Sequence, residues 1–583
     1  MSLSEVGLNH VQHEEEVSQC GPSGPFEVVD GCLDPDAVLT AVRTVIAGQT
    51  WPREPARLHE EGPGRCTVRV EGVVLTVRSA PLPAGPPGTL DAVTSAGPAG
   101  SVASVGHTGS VASAGHTGSV ASAAYAHRVL VSASGPLPPR AQSVFAALVA
   151  ELGRRAQCYT QAEADTIVAA MPLLGRYDAP EPAFADWALI FRDHYVENSV
   201  GLLLAMERAG IAPEWIYALS KGDRTLHRDR VHTWFLHRGY ASDVLDNSVI
   251  NGTADEAARA EALAVDARVE DFIRRAHAVG RKVLVIDDGG LLAQGRGSDN
   301  GLVEPVDAAI ELTVSGLKRI HDAPGRLAVP VLNLARSQLK SRLGYNEIAD
   351  SCVRRLRAIV PGEKFIGRHV LVLGYGTLGN RVAHALRALG CRVHVVDTDI
   401  LALITAAEDG FETHRTIAEA LTDHRPFLVI GSSGGTAVTE RDVPLLADGT
   451  LLAGFATKDF SVLSEGRCGA TSTPVPYVGV RHHLPHGATV TLLGDGRSLN
   501  LYEYEGIANR GYDAYRAGTL LAAKRLCRDV DSLTPGVHLD VVDELIDEAG
   551  LFPAYYDCYL REGRPAGTGP YDTTTPVGDA YVR

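Results

Sequence analysis

The run GRHVLVLGYGTLGNRVAHALRALGCRVHVVDTD, residues 367–399, decides the fold. Residues 369–373 alternate and are rich in Val and Leu, the pattern of a buried parallel strand. Gly374-Tyr375-Gly376-Thr377-Leu378-Gly379 follows at once, and residues 381–389 carry apolar side chains at helical spacing. A second apolar run, residues 392–396, ends in Asp397. Each position has a task in dinucleotide binding. Gly374 allows the tight turn, Gly376 lets the backbone approach a pyrophosphate, and Gly379 lets helix and strand pack closely. The helix start at Thr377 and Leu378 offers free N–H groups and a positive dipole end to the phosphates. Asp397 can accept hydrogen bonds from the adenosine ribose, which favours NAD over NADP. Strand, turn, helix, second strand and terminal acid occur in order, so the run reads as an NAD-binding Rossmann unit.

The chain has 583 residues, enough for three or four domains' worth of core. Its formal charge of −16 argues against nucleic acid and against an anionic membrane surface as partners. The nine cysteines are scattered and never form CxxC, which argues against a zinc ribbon or disulfide framework and fits a reducing cytoplasm. The first residues, MSLSEVGLNHVQHEEE, lack the basic start and apolar core of a signal peptide, and no apolar run reaches membrane-spanning length.

Upstream, residues 1–24 read as disordered and 25–160 as a small α/β module with hints of a sensor-like domain. Residues 34–47 suggest a helix capped by Asp34 or Asp36, residues 66–79 a hairpin turning at Glu71-Gly72, residues 127–134 a strand and 138–155 a helix. A low-complexity insert at 80–126 carries GSVASVGHT, GSVASAGHT and GSVASAAYA. His107 and His116 recur at that spacing, but residues this small cannot bury enough area to order the segment. It reads as a flexible loop without a ligand role.

From about residue 176 helices alternate with short apolar strands. Residues 197–209 form an amphipathic helix, 215–219 a strand, 265–279 a helix, and 282–286 a buried strand ending in Asp287-Asp288-Gly289-Gly290. Carboxylates at a strand's C-terminal end sit where open α/β sheets bind ligands, and crowding can perturb their pKa values.

These pieces together resemble the S-adenosylhomocysteine hydrolase family. The Asp-Asp-Gly-Gly strand end matches that family's substrate domain, and similarity continues through Val329-Pro330-Val331-Leu332-Asn333, Ser337 and Lys340-Ser341 into the glycine turn. It resumes at Gly494-Asp495-Gly496-Arg497-Ser498-Leu499-Asn500-Leu501 and at Pro535-Gly536-Val537-His538. The fold class implied is α/β with two doubly wound Rossmann-like domains. They are a substrate domain over 176–355, completed by 510–550, and an inserted NAD-binding domain over 356–505, leaving 551–583 as a tail. The resemblance implies NAD as cofactor, a nucleoside-like small-molecule substrate, a cytoplasmic enzyme, and room for a homo-oligomer. It implies redox-assisted elimination: oxidation of the ribose 3′-hydroxyl, loss of the C4′ proton, departure of homocysteine, addition of water, and reduction. Carried over residue by residue, His194 and Asp288 match substrate-domain acid/base positions, and Ser199 a hydroxyl one turn after His194. Lys340 matches the lysine beside the ribose, in register with Gly374, and Asn500 the asparagine near the nicotinamide.

Other positions depart from the family. The aspartate four residues after the lysine is Gly344, the next asparagine is Tyr345, and the cysteine is Ala349. Leu312 replaces a glutamate, Lys458 and Ile507 replace histidines, and the terminal Gly578-Asp579-Ala580-Tyr581-Val582-Arg583 lacks the family's lysine. Three readings therefore stay open: an NAD-dependent enzyme oxidising a different nucleoside-like alcohol, a catalytically silent NAD(H)-binding regulator, and adenosylhomocysteine hydrolysis with substituted acid/base groups.

Overall fold

The computed structural model describes residues 25–561, except 32, 34, 48–55, 63, 82–126, 251–253, 295–303, 324–326, 457, 476–477 and 495. The expected disordered start, the repeats with His107 and His116, the cap at Asp34, and the tail beyond 561 lie outside the described residues. Thr457 and Asp495 do too. The chain divides into two compact units that meet between Asp165 and Thr166.

The first unit is built on an antiparallel sheet of β1 (Phe26–Gly31), β2 (Arg57–Gly62), β3 (Arg65–Val70), β4 (Val73–Pro81) and β5 (His127–Ala133), in the order β1-β5-β4-β3-β2. Glu71 and Gly72 have φ of 48° and 82°, so β3 and β4 join through the two-residue left-handed turn whose twist suits a hairpin. Helices Pro35–Ala47 and Pro139–Ala156 bury Val38, Val42, Val144 and Leu148 against Val68, Leu75, Val129 and Val131 of the sheet.

The second unit begins with a fully parallel sheet. Its strands are β6 (Trp187–Asp193), β7 (Ile216–Ser220), β8 (Ala241–Val244), β9 (Lys282–Asp287), β10 (Ala308–Glu311) and β11 (Pro330–Asn333). The third sheet follows with β12 (His369–Leu373), β13 (Arg392–Val396), β14 (Glu412–His414), β15 (Leu428–Gly431), β16 (Leu451–Gly454), β17 (Thr471–Val475), β18 (Gly479–His483) and β19 (Thr489–Leu493). The chain then returns through helix Asn509–Asp529 to β20 (Gly536–His538), which closes the second sheet.

Strand order in the second sheet is β20-β11-β10-β9-β6-β7-β8, so the winding reverses between β6 and β9. In the third it is β14-β13-β12-β15-β16-β19-β18-β17, parallel as far as β19 and reversing between β12 and β15. Two doubly wound α/β sheets thus carry two switch points, the crevices where such folds bind ligands. Strands β6 and β15 are buried along their whole length, which the apolar runs 187–191 and 428–430 require, while Arg192 and Asp193 at the end of β6 are buried with partners.

Some expected boundaries shift for local reasons. The helix expected at 265–279 runs from Glu256 to Ala278, because Asp255 caps it by accepting the Ala258 N–H at 2.8 Å ahead of a run of strong helix formers. The helix whose apolar spacing is read over 381–389 begins at Thr377, directly on the glycine turn as expected. Helix Tyr345–Ile359 sends Ala349, Cys352, Val353 and Leu356 into the core of the third sheet. Among the described residues no helix is long and apolar enough to cross a membrane.

Candidate active site

Adjacent strands β9, β6 and β7 end at the second sheet's switch point and deliver Asp288, His194 and the segment Lys221-Gly222-Asp223 to one place. His194 directs Nδ1 at the Asp223 carboxylate, so this nitrogen carries the proton and Nε2 is left as the acceptor. That Nε2 lies 3.4 Å from Lys221 Nζ and 3.8 Å from Asp288 Oδ2, while Lys221 Nζ donates to Asp288 Oδ1. All but His194 are nearly inaccessible. Burial by itself would raise Asp288, but Lys221, His194 and Lys340 outweigh it and hold the carboxyl down at about 2. Asp223 is likewise lowered, burial being overcome by His194, Lys221 and Arg497. Both carboxylates therefore stay ionised, and the acceptor nitrogen of His194 sits between an anion and an ammonium.

The Asp287-Asp288 pair is split by the geometry. Asp287 turns inward to Arg192 at 3.3 Å and accepts the Leu291 N–H, so it braces the turn rather than entering the crevice. Gly289 and Gly290 follow with φ of 131° and 85° and donate their N–H groups to Glu311. Burial, then neighbouring Asp287, pushes Glu311 well above the usual carboxyl range. Ser199 Oγ donates to the His194 carbonyl at 2.8 Å and supports the loop. Asp193 accepts from the buried Arg516 at 2.7 Å.

Lys340 opens a π-helical turn, Lys340–Gly344, and is buried. Its Nζ donates to Tyr512 Oη at 2.8 Å, lies 4.2 Å from the Tyr515 ring centroid, and forms no ion pair among the described residues. A Cβ at Gly344 would stand 3.1 Å from Lys340 Cδ, so the lysine stem runs over the bare glycine. Burial pushes the ammonium down to about 8, against the pull of Asp288 and Asp193. The helix that starts on the glycine turn holds this segment through Arg381, which donates to the Ser341 carbonyl.

In the third sheet Gly374 has φ of 96° and donates its N–H to the Val396 carbonyl at 2.8 Å. A Cβ on Gly379 would fall 1.9 Å from the Gly374 carbonyl oxygen, whereas one on Gly376 would meet nothing within 4 Å. The turn is thus packed shut beneath Gly379 and open above Gly376, Thr377 and the helix N-terminus, as a pyrophosphate requires. Asp397 accepts from the Tyr375 N–H at 2.6 Å and the Asp399 N–H at 2.8 Å, which fixes its carboxylate at the end of β13. Leu378 is buried beneath the turn, and Asn500 is buried with its Oδ1 accepting from Ser498 at 2.7 Å. These residues fit NAD: an open glycine, an unobstructed helix start and a fixed ribose acceptor.

Two more groups lie at the third sheet's switch point. Asp459 accepts from the N–H and Oγ of Ser433 at 3.0 and 2.6 Å, while its Oδ2 is buried without a hydrogen bond. Burial raises this carboxyl to about 7. Lys458, just before it, holds a left-handed φ of 84°, unusual for a side chain of its size. Arg497 ties the two lobes of the second unit together through Asp246, at 2.9 Å to both oxygens, and Asp223 at 3.3 Å.

Lys221, Asp223, Tyr512 and Asp459 were not singled out in the sequence. Lys221-Gly222-Asp223 carried a usable signal, a charged pair around a glycine just after a buried strand. Tyr512 carried none, since it reaches Lys340 only through the folding-back of helix Asn509–Asp529.

The class defined by sheet order and glycine turn is that of NAD-binding doubly wound α/β proteins. Residues 348–506 match the family model described as S-adenosyl-L-homocysteine hydrolase, NAD binding domain. The chain is thus similar to S-adenosylhomocysteine hydrolases, and the matched domain is an NAD-binding one, so its cofactor is NAD. It is 28% identical over 280 residues to the adenosylhomocysteinase of Thermotoga maritima, a match covering 46% of this chain and 67% of the relative. Over 254 residues it is 27% identical to the adenosylhomocysteinase of Aeropyrum pernix, covering 42% and 59%. It is 25% identical over 266 residues to the S-inosyl-L-homocysteine hydrolase of Methanopyrus kandleri, covering 44% and 61%. The chain thus spans about two thirds or less of the length of these relatives. Among solved structures, a dipicolinate synthase from Bacillus halodurans is similar at 17% identity and TM-score 0.25, over 43% of this chain and 92% of that one. A transhydrogenase from Sinorhizobium meliloti is similar at 11% and 0.29, over 59% and 96%.

Proposed function

We propose that this chain is an NAD-dependent enzyme that oxidises a hydroxyl of a nucleoside-like substrate, with the acid/base work done by Lys340, His194 and Asp288. The observation that carries the reading is Lys340: a buried ammonium whose polar neighbour is the Tyr512 hydroxyl at 2.8 Å rather than a carboxylate. With its pKa pushed down to about 8, a useful fraction is neutral near physiological pH, the state a general base needs. Bound NAD supplies the acceptor for the hydride that leaves with the alcohol proton. Lys340 takes that proton at Nζ, and Tyr512 orients the amine. His194, held by Asp223, presents Nε2 as a second acceptor, and Lys221 keeps Asp288 ionised beside it.

The departures from the family argue against efficient elimination. Gly344, Leu312 and Ala349 stand where the family resemblance implies an aspartate, a glutamate and a cysteine, and loss of even one acid/base group costs about 10²–10⁴ in rate. That one similar enzyme is named for an inosyl and two for an adenosyl substrate supports a nucleoside whose base is not fixed by the fold.

The test gives the purified protein adenosine, inosine and S-adenosylhomocysteine in turn, reading nicotinamide absorbance and free thiol. Reduction of the bound cofactor with at least one nucleoside, and little thiol release, is expected. Stoichiometric homocysteine release would establish the hydrolase instead. Silence with every compound would favour the regulatory reading.

A further inference from the structure

Five ionisable side chains unrelated to the glycine turn meet on the third sheet. Register pairs His394 of β13 with Glu412 of β14, and Val396 with His414, so His394, Glu412 and His414 share one face. Leu371, which β12 sets beside His394 on that face, packs with Ile417 of helix Ile417–Asp423. His424 follows the helix directly and turns back to the same point.

Three imidazole nitrogens converge on one carboxylate. His424 Nε2 lies 2.6 Å from Glu412 Oε1, His414 Nε2 3.7 Å from the same oxygen, and His394 Nδ1 3.3 Å from Oε2. His394 and His414 are 4% and 8% exposed, and neither His394 Nδ1 nor His414 Nε2 makes a well-aligned hydrogen bond. A buried ring nitrogen without a partner is a cost that ordinary cores avoid.

We propose that His394, Glu412, His414 and His424 form a zinc site. One ligand atom from each lies within 4.8 Å of all the others, and a tetrahedral zinc ion with bonds of about 2.0–2.2 Å draws such atoms to about 3.4 Å apart. Three imidazoles and one carboxylate make a borderline N/O donor set suited to zinc rather than to calcium or magnesium. The second nitrogen of His394 is provided for: Nε2 lies 2.7 Å from His369 Nδ1. With Nε2–H donating to His369, Nδ1 of His394 is left free for the metal, the outer-shell arrangement that fixes a ligand's tautomer. The ion would cross-link β13, edge strand β14 and the segment entering β15. Glu412, half exposed, gives it a route in from solvent.

The experiment uses the full chain, stripped with a chelator and titrated with Zn²⁺ against a chromophoric competitor, with Co²⁺ substitution as a spectroscopic check. Wild type is expected to take up one equivalent with tetrahedral cobalt bands. His414→Ala with His424→Ala should lose at least tenfold in affinity while keeping the wild-type NAD content. His369→Phe should lose about tenfold through the tautomer alone. If the alanine variant does not fold, Glu412→Gln and the wild-type titration decide. Absence of a stoichiometric site in the wild type, or zinc retained undiminished in the variants, overturns the proposal.

Discussion

At the residue scale, the candidate site is a balance between burial and compensating charge. Lys340 is desolvated and left to a phenol, whereas Lys221 is desolvated and paired with Asp288. The first lysine is thereby suited to exchange its proton, and the second serves as the ion-pair partner of Asp288. Lys221→Met should leave NAD bound but lower cofactor reduction by about 10²-fold. With an ammonium gone, Asp288 ionises less readily, so the acid limb of the pH–rate profile should move to higher pH. A profile and rate equal to wild type would show that Lys221 only fills space. The sequence made Asp288 legible because two glycines and a strand end flank it. It could not reveal that Asp287 serves Arg192 instead, because that depends on which way each carboxylate leaves the strand.

At the element scale, the glycine turn and its strands were readable because each has a local cause. β12 and β13 are short runs dominated by Val and Leu, and the three glycines do three different steric jobs. Gly376→Val places a branched side chain in the open space above the turn and should abolish NAD content, measured after denaturing the purified protein. Asp397→Ala should weaken NAD binding and relax discrimination against NADP, since the ribose acceptor is removed without disturbing the strand. Undiminished NAD in Gly376→Val would reduce the turn to a purely structural role. The histidine cluster was unreadable by comparison. His394 and Glu412 are far apart in sequence and meet only through the pairing of β13 with β14, a register no local pattern fixes. The boundary expected at residue 356 falls inside helix Tyr345–Ile359, which is amphipathic and packs on the third sheet, so composition alone gave no break there.

At the scale of the whole second unit, two switch points are joined, one carrying the candidate proton-transfer groups and one shaped for a dinucleotide. Arg497, Arg381 and the returning helix Asn509–Asp529 hold the two lobes in contact, and that helix brings Tyr512 to Lys340. The overall class followed from the order of motifs along the chain. The placing of tyrosines against the lysine did not, because it needs the last part of the chain folded back. The central claim is that Lys340 removes the proton of an alcohol whose hydride goes to the bound cofactor. It is tested most directly by single-turnover reduction of the bound NAD with a nucleoside, followed across pH in wild type and Lys340→Met. A group that works as a neutral amine with a pKa of about 8 requires a rate that rises with pH through that value and levels above it. The account predicts this rise in wild type and no reduction in Lys340→Met with its NAD retained. A rate indifferent to pH across that range, together with undiminished reduction in Lys340→Met, would contradict it.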